Sequence, residues 1–468
     1  MTVSTFLILF LYLFTITVGV HFNGGSVTWS PTDPLNTGNP INVTIIQTYA
    51  WTDPLVQCTD AMIASKSPIG PVGGFYPGLA AAGSLVCINN CGSTTGQSKG
   101  YDNSAGIPIM PDCTDSNPEL GNVIGQRQDV VTLYMNDVFT VAYQGSAWIT
   151  LGTGSGASWS IASKINLQLR PDGYYNTAPI GATISPINVV QGQTQTIDVP
   201  ISDANNDILK CRWASQSNGE CGSTSACPPG SLPSVTTLIA PCSVQITTTS
   251  SVGTYFALSL MVEDYYDNSS TTPMSAVPIQ FLVKVVDTTA CARPEVIGVP
   301  GKLSCLPIQV GTPFITQIIA INYCPTTTNI TEISTLSIPG MNKSALIRND
   351  SSTYYRTLTW IPTYDQVGPQ VVCAVAVDTL SAQSDQYCFL FFVSYGELCG
   401  CPGSGITCPS TTSTSSQQQR RRVLQAQARA QHLLPVHHQV RLHQRALAAH
   451  KPKRLKTKFT EKRQLHDS

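Results

Sequence analysis

Apolar and polar residues alternate in short runs along much of the chain. Ile41, Val43 and Ile45 form one run, and Ile197, Val199 and Ile201 a second. Ile279, Phe281, Val283 and Val285 form a third, and Val371, Cys373, Val375 and Val377 a fourth. A period of two sets every second side chain on one face of a strand, so each run predicts a β-strand with one face toward a core. No long window repeats at the helical period. Stretches rich in Gly, Pro, Asn and Asp separate the runs and supply turns. The expected fold class is all-β.

Two turn-rich joins divide the pattern. Arg170-Pro-Asp-Gly-Tyr-Tyr-Asn-Thr-Ala-Pro179 follows the strand-like Ile165 to Leu169, and Val286-Asp-Thr-Thr-Ala-Cys-Ala-Arg-Pro294 follows another apolar run. Some 400 residues are too many for one core. The joins give a larger β-rich, disulfide-tied N-terminal domain over 20–175 and two units over 177–287 and 291–395. Each of the latter has the size of one immunoglobulin-like β-sandwich. They share a plan: a Trp-bearing segment (Leu209 to Trp213; Leu358 to Trp360), then a long strand ending in acid (Gly253 to Asp264; Gly368 to Asp378), then a closing strand.

Composition adds a compartment. Phe6 to Phe14 with Ile16 and Val18 is an apolar run of signal-peptide length, with small residues at Thr17 and Gly19, so residues 1–19 are expected to be cleaved. All 16 cysteines lie between Cys58 and Cys408. An even number behind such a leader reads as a disulfide framework in an oxidising compartment. They fall into three groups: Cys58 to Cys113, Cys211 to Cys242, and Cys291 to Cys408. The short segment 396–408, with Cys399, Cys401 and Cys408, lacks a second pair at zinc spacing and is expected to form disulfides. Asn-x-Ser/Thr triplets begin at Asn42, Asn268, Asn329, Asn342 and Asn349, the expected glycosylation sites.

The chain changes character in 409–468. Pro409 to Ser416 is Ser/Thr-rich, and from Gln417 to Ala449 only Gln, Arg, Val, Leu, Ala, His and Pro occur. Codons for those residues, read one base earlier, give chiefly Thr, Ser, Pro and Ala. The tail therefore reads as an out-of-frame rendering of a mucin-like stalk. A genuine basic tail for nucleic acid or anionic membrane is the competing reading. The tail carries 13 Lys/Arg and 2 Asp/Glu, so the formal net charge of -1 conceals a remainder at -12. An acidic ectodomain disfavours polyanions, and nucleic acid is not an expected partner.

Leu358-Thr-Trp-Ile-Pro-Thr363 followed by Gly368 to Asp378 resembles the immunoglobulin-like and cadherin-like repeats of extracellular proteins. In those repeats a Trp-x-Pro-Thr segment precedes a Gly and a long strand closing on Asp. Val199-Pro-Ile-Ser-Asp203 to Leu209 is similar to the Asp-x-Asn/Asp-x-Asp loop of the same group. Tandem sandwiches before a Thr/Ser-rich stalk also resemble surface proteins of small invertebrates. The resemblance covers about half the chain and implies an ectodomain and adhesion, without a defined ligand.

Candidate chemistry is sparse. Asp203, Asn205 and Asp207 offer oxygen ligands at the i, i+2, i+4 spacing of calcium loops, and Glu263, Asp264 and Asp267 end a later strand that a sandwich brings near. An Asx-rich turn is the commoner outcome of such spacing. Calcium is the one cofactor this pattern admits. His21 is the sole histidine before the tail, so a Ser-His-Asp relay or His-bound zinc has no base or ligand. A carboxylate-only glycoside hydrolase is the remaining enzyme class, but no motif supports it and the chain reads as a non-enzyme. Trp29, Trp51, Trp148 and Trp159 crowd the N-terminal segment, where exposed rings would suit a lectin-like site and buried ones a core. The expected function is a secreted or cell-surface glycoprotein for recognition, adhesion or matrix contact, with an extracellular protein or glycan as partner. Membrane contact is expected only if the natural C-terminus carries an anchor.

Overall fold

A computed structural model describes residues 21–401, apart from 35, 54–55, 72–82, 92–100, 102–105, 289–290 and 395–400. The expected leader and residues 402–468 lie outside the described residues. The chain divides into a unit over 1–408 and another over 409–468, the second lying wholly outside the described residues.

The described residues are all-β. Their single α-helix is Asp60–Ser65, capped by the Thr59 side chain, which accepts from the Met62 amide at 3.3 Å. No described helix is long and apolar enough to cross a membrane.

One four-strand arrangement occurs twice. Ile187–Val190 runs parallel to Ser275–Val286, which pairs antiparallel with Tyr255–Tyr265, which pairs with Ile208–Trp213. Further along, Cys305–Gln309 runs parallel to Tyr387–Ser394, which pairs with Gly368–Asp378, which pairs with Ile330–Leu336. The shared plan seen in the sequence thus has a shared strand order. In the second copy, a facing sheet of Glu295–Gly298, Phe314–Ile321 and Thr353–Trp360 closes a core around Ile318, Leu358, Trp360, Phe389 and Phe391.

The first copy does not stand apart from the residues before it. One edge of Ser275–Val286 is shared by three strands. Ala276 faces Lys164, Ile279 to Phe281 face Gly24 to Ser26, and Val283 to Val286 run beside Ile187–Val190. Phe22–Pro31 pairs in turn with Ile41–Thr52, and one hydrophobic cluster runs from Phe22 to Val285. The segments 20–175 and 177–287, expected as two domains, therefore share a sheet and a core. The join near Arg170 is not an exposed linker: Arg170, Tyr175, Asn176, Thr177 and Ala178 are buried. Glycine makes the seam possible. At Gly24, with φ 133°, an added Cβ would sit 2.3 Å from the Gln280 carbonyl oxygen.

A second seam joins this body to the C-terminal one. In Gly368–Asp378, Val372, Ala374 and Ala376 face their own core, while Val371, Cys373, Val375 and Val377 pack with Ala50, Leu120, Ile124 and Ile184 of the first body. The strand is apolar on both sides because both sides are covered. Polar groups fix the register. The Asn117 amide donates to the Thr335 carbonyl at 2.9 Å, and its oxygen accepts from the Thr335 N–H at 3.1 Å. Gln386 Oε1 accepts from the Ile184 N–H at 2.8 Å, and Gln383 Oε1 from the Asn188 N–H at 2.7 Å. Lys343 forms a buried ion pair with Asp115, whose other oxygen accepts from the Thr335 hydroxyl.

Cysteines pair at disulfide distance strictly within the three sequence groups: 58 with 113, 87 with 91, 211 with 242, 221 with 227, 291 with 324, 305 with 401 and 373 with 388. Such a framework is typical of extracellular proteins. Cys401 is thereby tied to Cys305, while Cys399 and Cys408 lie outside the described residues.

Candidate metal centre

The loop between Ile201–Ser202 and Ile208–Trp213 turns sharply at Asn206, which has φ 62°. Asp203 organises that turn: its Oδ1 accepts from the Asn205 N–H at 2.7 Å and the Asp207 N–H at 3.1 Å. This is the Asx turn that the spacing allows. The second oxygen of Asp203 has no partner, although the residue is only 3% exposed. A buried carboxylate oxygen without a donor carries a desolvation penalty that something else must offset.

Asp264 arrives from the end of Tyr255–Tyr265 and is fully buried. Its Oδ1 accepts from the Ser275 N–H at 2.6 Å and hydroxyl at 2.8 Å, and its Oδ2 from the Asn176 amide at 2.6 Å. Asp203, Asp207 and Asp264 each place a carboxylate oxygen within 4.8 Å of the others. Arg170 closes one side. It grips both oxygens of Asp207, donates to Asn176 Oδ1 at 3.0 Å and to Asp172 at 3.1 Å, and lies over the Tyr266 ring.

Of the sequence candidates, Asp203, Asp207 and Asp264 converge and the others do not. Asn205 turns its side-chain oxygen to the Thr177 N–H at 2.7 Å. Glu263 is Asp264's neighbour on a strand, so it faces the other side and pairs with Arg212 at 2.7 Å. Asp267 stands exposed in the hairpin loop, where Oδ1 accepts from the N–H groups of Ser269 and Ser270 at 2.9 Å each. Arg170 and Asn176, which shape the site, were not legible as site residues because their stretch reads as a turn. The available clue was the one arginine between Arg127 and Arg212, in a chain otherwise poor in charge.

Electrostatics set the site's demand. Burial, then the charges of Asp264 and Asp207, push the Asp203 carboxyl well above its ordinary range. Burial also raises Asp264, against the opposing hydrogen bonds of Asn176 and Ser275. Burial raises Asp207 despite its Arg170 partner. Carboxyls raised in the folded state hold protons that the unfolded chain releases, so their stabilisation is present below 3.8 and is lost as pH rises through the folded values. In chelator, the protein is expected to gain stability on acidification from neutral pH, with a smaller gain in Asp203→Asn; denaturant melts across pH measure it.

The donor set fits a hard cation in part. Three convergent carboxylates, beside one guanidinium shared between Asp207 and Asp172, leave the site net negative, and all the donors are oxygens. Arg170 limits what Asp207 can give, so Asp203, through its unpartnered Oδ2, and Asp264 would be the principal protein ligands.

The tryptophans of the N-terminal segment are not a sugar-stacking platform. Trp29, Trp51, Trp148 and Trp159 are buried, and the last three pack with Phe22, against which Trp159 stacks at 4.7 Å. A cavity of about 30 Å³ between Gly24, Thr183, Gln280 and Leu336 has room for about one water and none for a sugar.

No family model matches the chain, and no curated protein matches it. Among solved structures it is similar to a protein of unknown function from Porphyromonas gingivalis W83, at 11% identity and a TM-score of 0.20, over 44% of this chain and 94% of that one. At that score the likeness carries no argument about fold or function.

Proposed function

We propose that the chain is a secreted or surface-displayed glycoprotein acting by non-covalent recognition, adhesion or matrix contact, and not an enzyme. The observation that carries this reading is the double seam. It holds three cystine-tied segments, 20–175, 177–287 and 291–395, in one compact unit, suited to presenting surfaces at fixed geometry. In this reading 177–287 and 291–395 are diverged immunoglobulin-like sandwiches. The repeated strand order, with its parallel first-to-last pairing, supports that. The second departs from the antibody pattern, since Cys373 and Cys388 are opposed on neighbouring strands of one sheet and do not bridge two.

The full chain, produced in secreting eukaryotic cells and coated on beads, is expected to be retained on members of a glycan and matrix-protein panel without altering them. Hydrolysis of any glycan on the panel would replace this reading with the carboxylate-only glycosidase.

The partnerless Asp203 oxygen favours a second element, a structural Ca²⁺ bound by Asp203 and Asp264 with help from Asp207. At 100 times its dissociation constant, Ca²⁺ is expected to add about 2.7 kcal/mol, visible as a raised melting temperature that EDTA reverses and Asp203→Asn abolishes. An unchanged melting temperature in Ca²⁺ would remove the ion from the reading.

A further inference from the structure

We propose that N-glycans on Asn342 and Asn349 lie across the outer face of the C-terminal body's first sheet and cover a row of apolar side chains there. The proposal rests on the reading of the chain as a secreted glycoprotein.

The row follows from strand register. Ile297 is opposite Ile319, Ile319 opposite Tyr355, and Tyr355 opposite Ile347. Directly opposed residues of antiparallel strands share a face, so the four form one line across the sheet. The alternate positions Val296, Ile318, Tyr354 and Leu358 lie in the core, so the line points outward. Ile297 and Ile347 are 37% and 40% exposed, and Ile315, on the same face, is 70% exposed. Around the line stand Gln317, Thr353, Thr357 and Thr359, with Glu295 the one charge among these outward positions. A charge-poor apolar stripe of this kind marks a surface that is covered by something.

The two sequons flank one end of the stripe. Asn342 is opposite Thr359, which is opposite Ile315. The Asn349 N–H donates to the Thr353 carbonyl at 2.8 Å, which sets it across from Thr353, itself opposite Ile321. By the same parity both asparagines share the face of Tyr355, and both stand at the sheet edge formed by Asn342–Lys343 and Ile347–Arg348, on either side of the Ile347 end of the stripe. Both are exposed, and Asn342-Lys-Ser344 and Asn349-Asp-Ser351 are complete acceptors. The stripe crosses three inter-strand gaps, about 14 Å, a span that a core glycan of several rings covers. A sugar ring presents C–H groups on one face and hydroxyls at its rim. Laid on Tyr355 and the isoleucines, it buries the first and leaves the second in water, as amphipathic rings do.

The other sequons do not share this face. Asn42 lies in Ile41–Thr52, Asn268 in the hairpin after Tyr255–Tyr265, and Asn329 beside Ile330 of the opposite sheet. All three are exposed and serve as controls.

The test is glycopeptide mass spectrometry of the full chain secreted from eukaryotic cells. It is followed by dye binding (anilinonaphthalene sulfonate) to the folded protein before and after enzymatic deglycosylation. Both asparagines are expected to carry glycan, and deglycosylation to raise dye fluorescence several-fold. The double variant Asn342→Gln/Asn349→Gln is expected to show the same rise untreated, and Tyr355→Ser in that background to reverse it. Asn268→Gln is expected to change nothing. Bare Asn342 and Asn349 beside glycosylated Asn42, Asn268 or Asn329 would overturn the proposal and leave secretion standing. Glycan at both sites with no rise in fluorescence would also overturn it. A chain bare at every sequon would take down the secreted-glycoprotein reading with it.

Discussion

Lys343→Met is expected to destabilise the protein by about 3–5 kcal/mol, because it leaves Asp115 ionised and unpaired inside the seam between the two bodies. Asp115 is fully buried and the Lys343 side chain nearly so, and the ammonium also donates to the Ser116 carbonyl at 3.0 Å. The double replacement Asp115→Asn/Lys343→Met removes both charges and is expected to recover most of the loss. Urea denaturation of both variants measures this. If the two variants unfold together, the ion pair is not what the seam depends on. The single variant is also expected to split one cooperative transition into two, since weakening the seam lets the bodies unfold separately.

Gly24→Ala is expected to cost about 3 kcal/mol through a strained positive φ and overpacking. The added methyl meets backbone, the Gln280 carbonyl oxygen at 2.3 Å, and no flexible side chain can move aside for it. The contact lies where the first described strand meets Ser275–Val286, so the loss should reach all of 21–286 at once. Hydrogen exchange on the variant can show this. Faster exchange confined to Phe22–Pro31 and Ile41–Thr52 would mean that 20–175 and 177–287 are separate cooperative units after all.

The alternation of apolar residues made the strands legible, but not which partner each face would meet. Val371, Cys373, Val375 and Val377 read as the buried face of a strand, with nothing to say which core they meet. They face the other body, and the quieter set Val372, Ala374 and Ala376 fills the local core. Period two reports that a face is buried and says nothing about what buries it. The same gap hid the edge of Ser275–Val286, which reads as a closing strand yet serves three partners. Cysteine groups were legible because each pairing closes within one body. At the acidic site, the loop spacing disclosed Asp203 and Asp207, and strand-end position disclosed Asp264. Arg170 was hidden because Arg-Pro-Asp-Gly has the composition of a surface turn, whereas here the guanidinium is drawn inward by Asp207 and Asn176.

The strand Ser275–Val286 also sets a timetable for biosynthesis. Phe22–Pro31 pairs with Ile41–Thr52, made soon after it, on one edge, but its other partner is made about 240 residues later. Through that interval a strand edge and the apolar face beside it stay open, the condition under which nascent β-proteins pair with the wrong chain. A message cut short anywhere before codon 286 would thus yield a sticky fragment, not a smaller working protein. Chaperone demand is therefore expected to last through the whole first body and to fall once its last strand has closed.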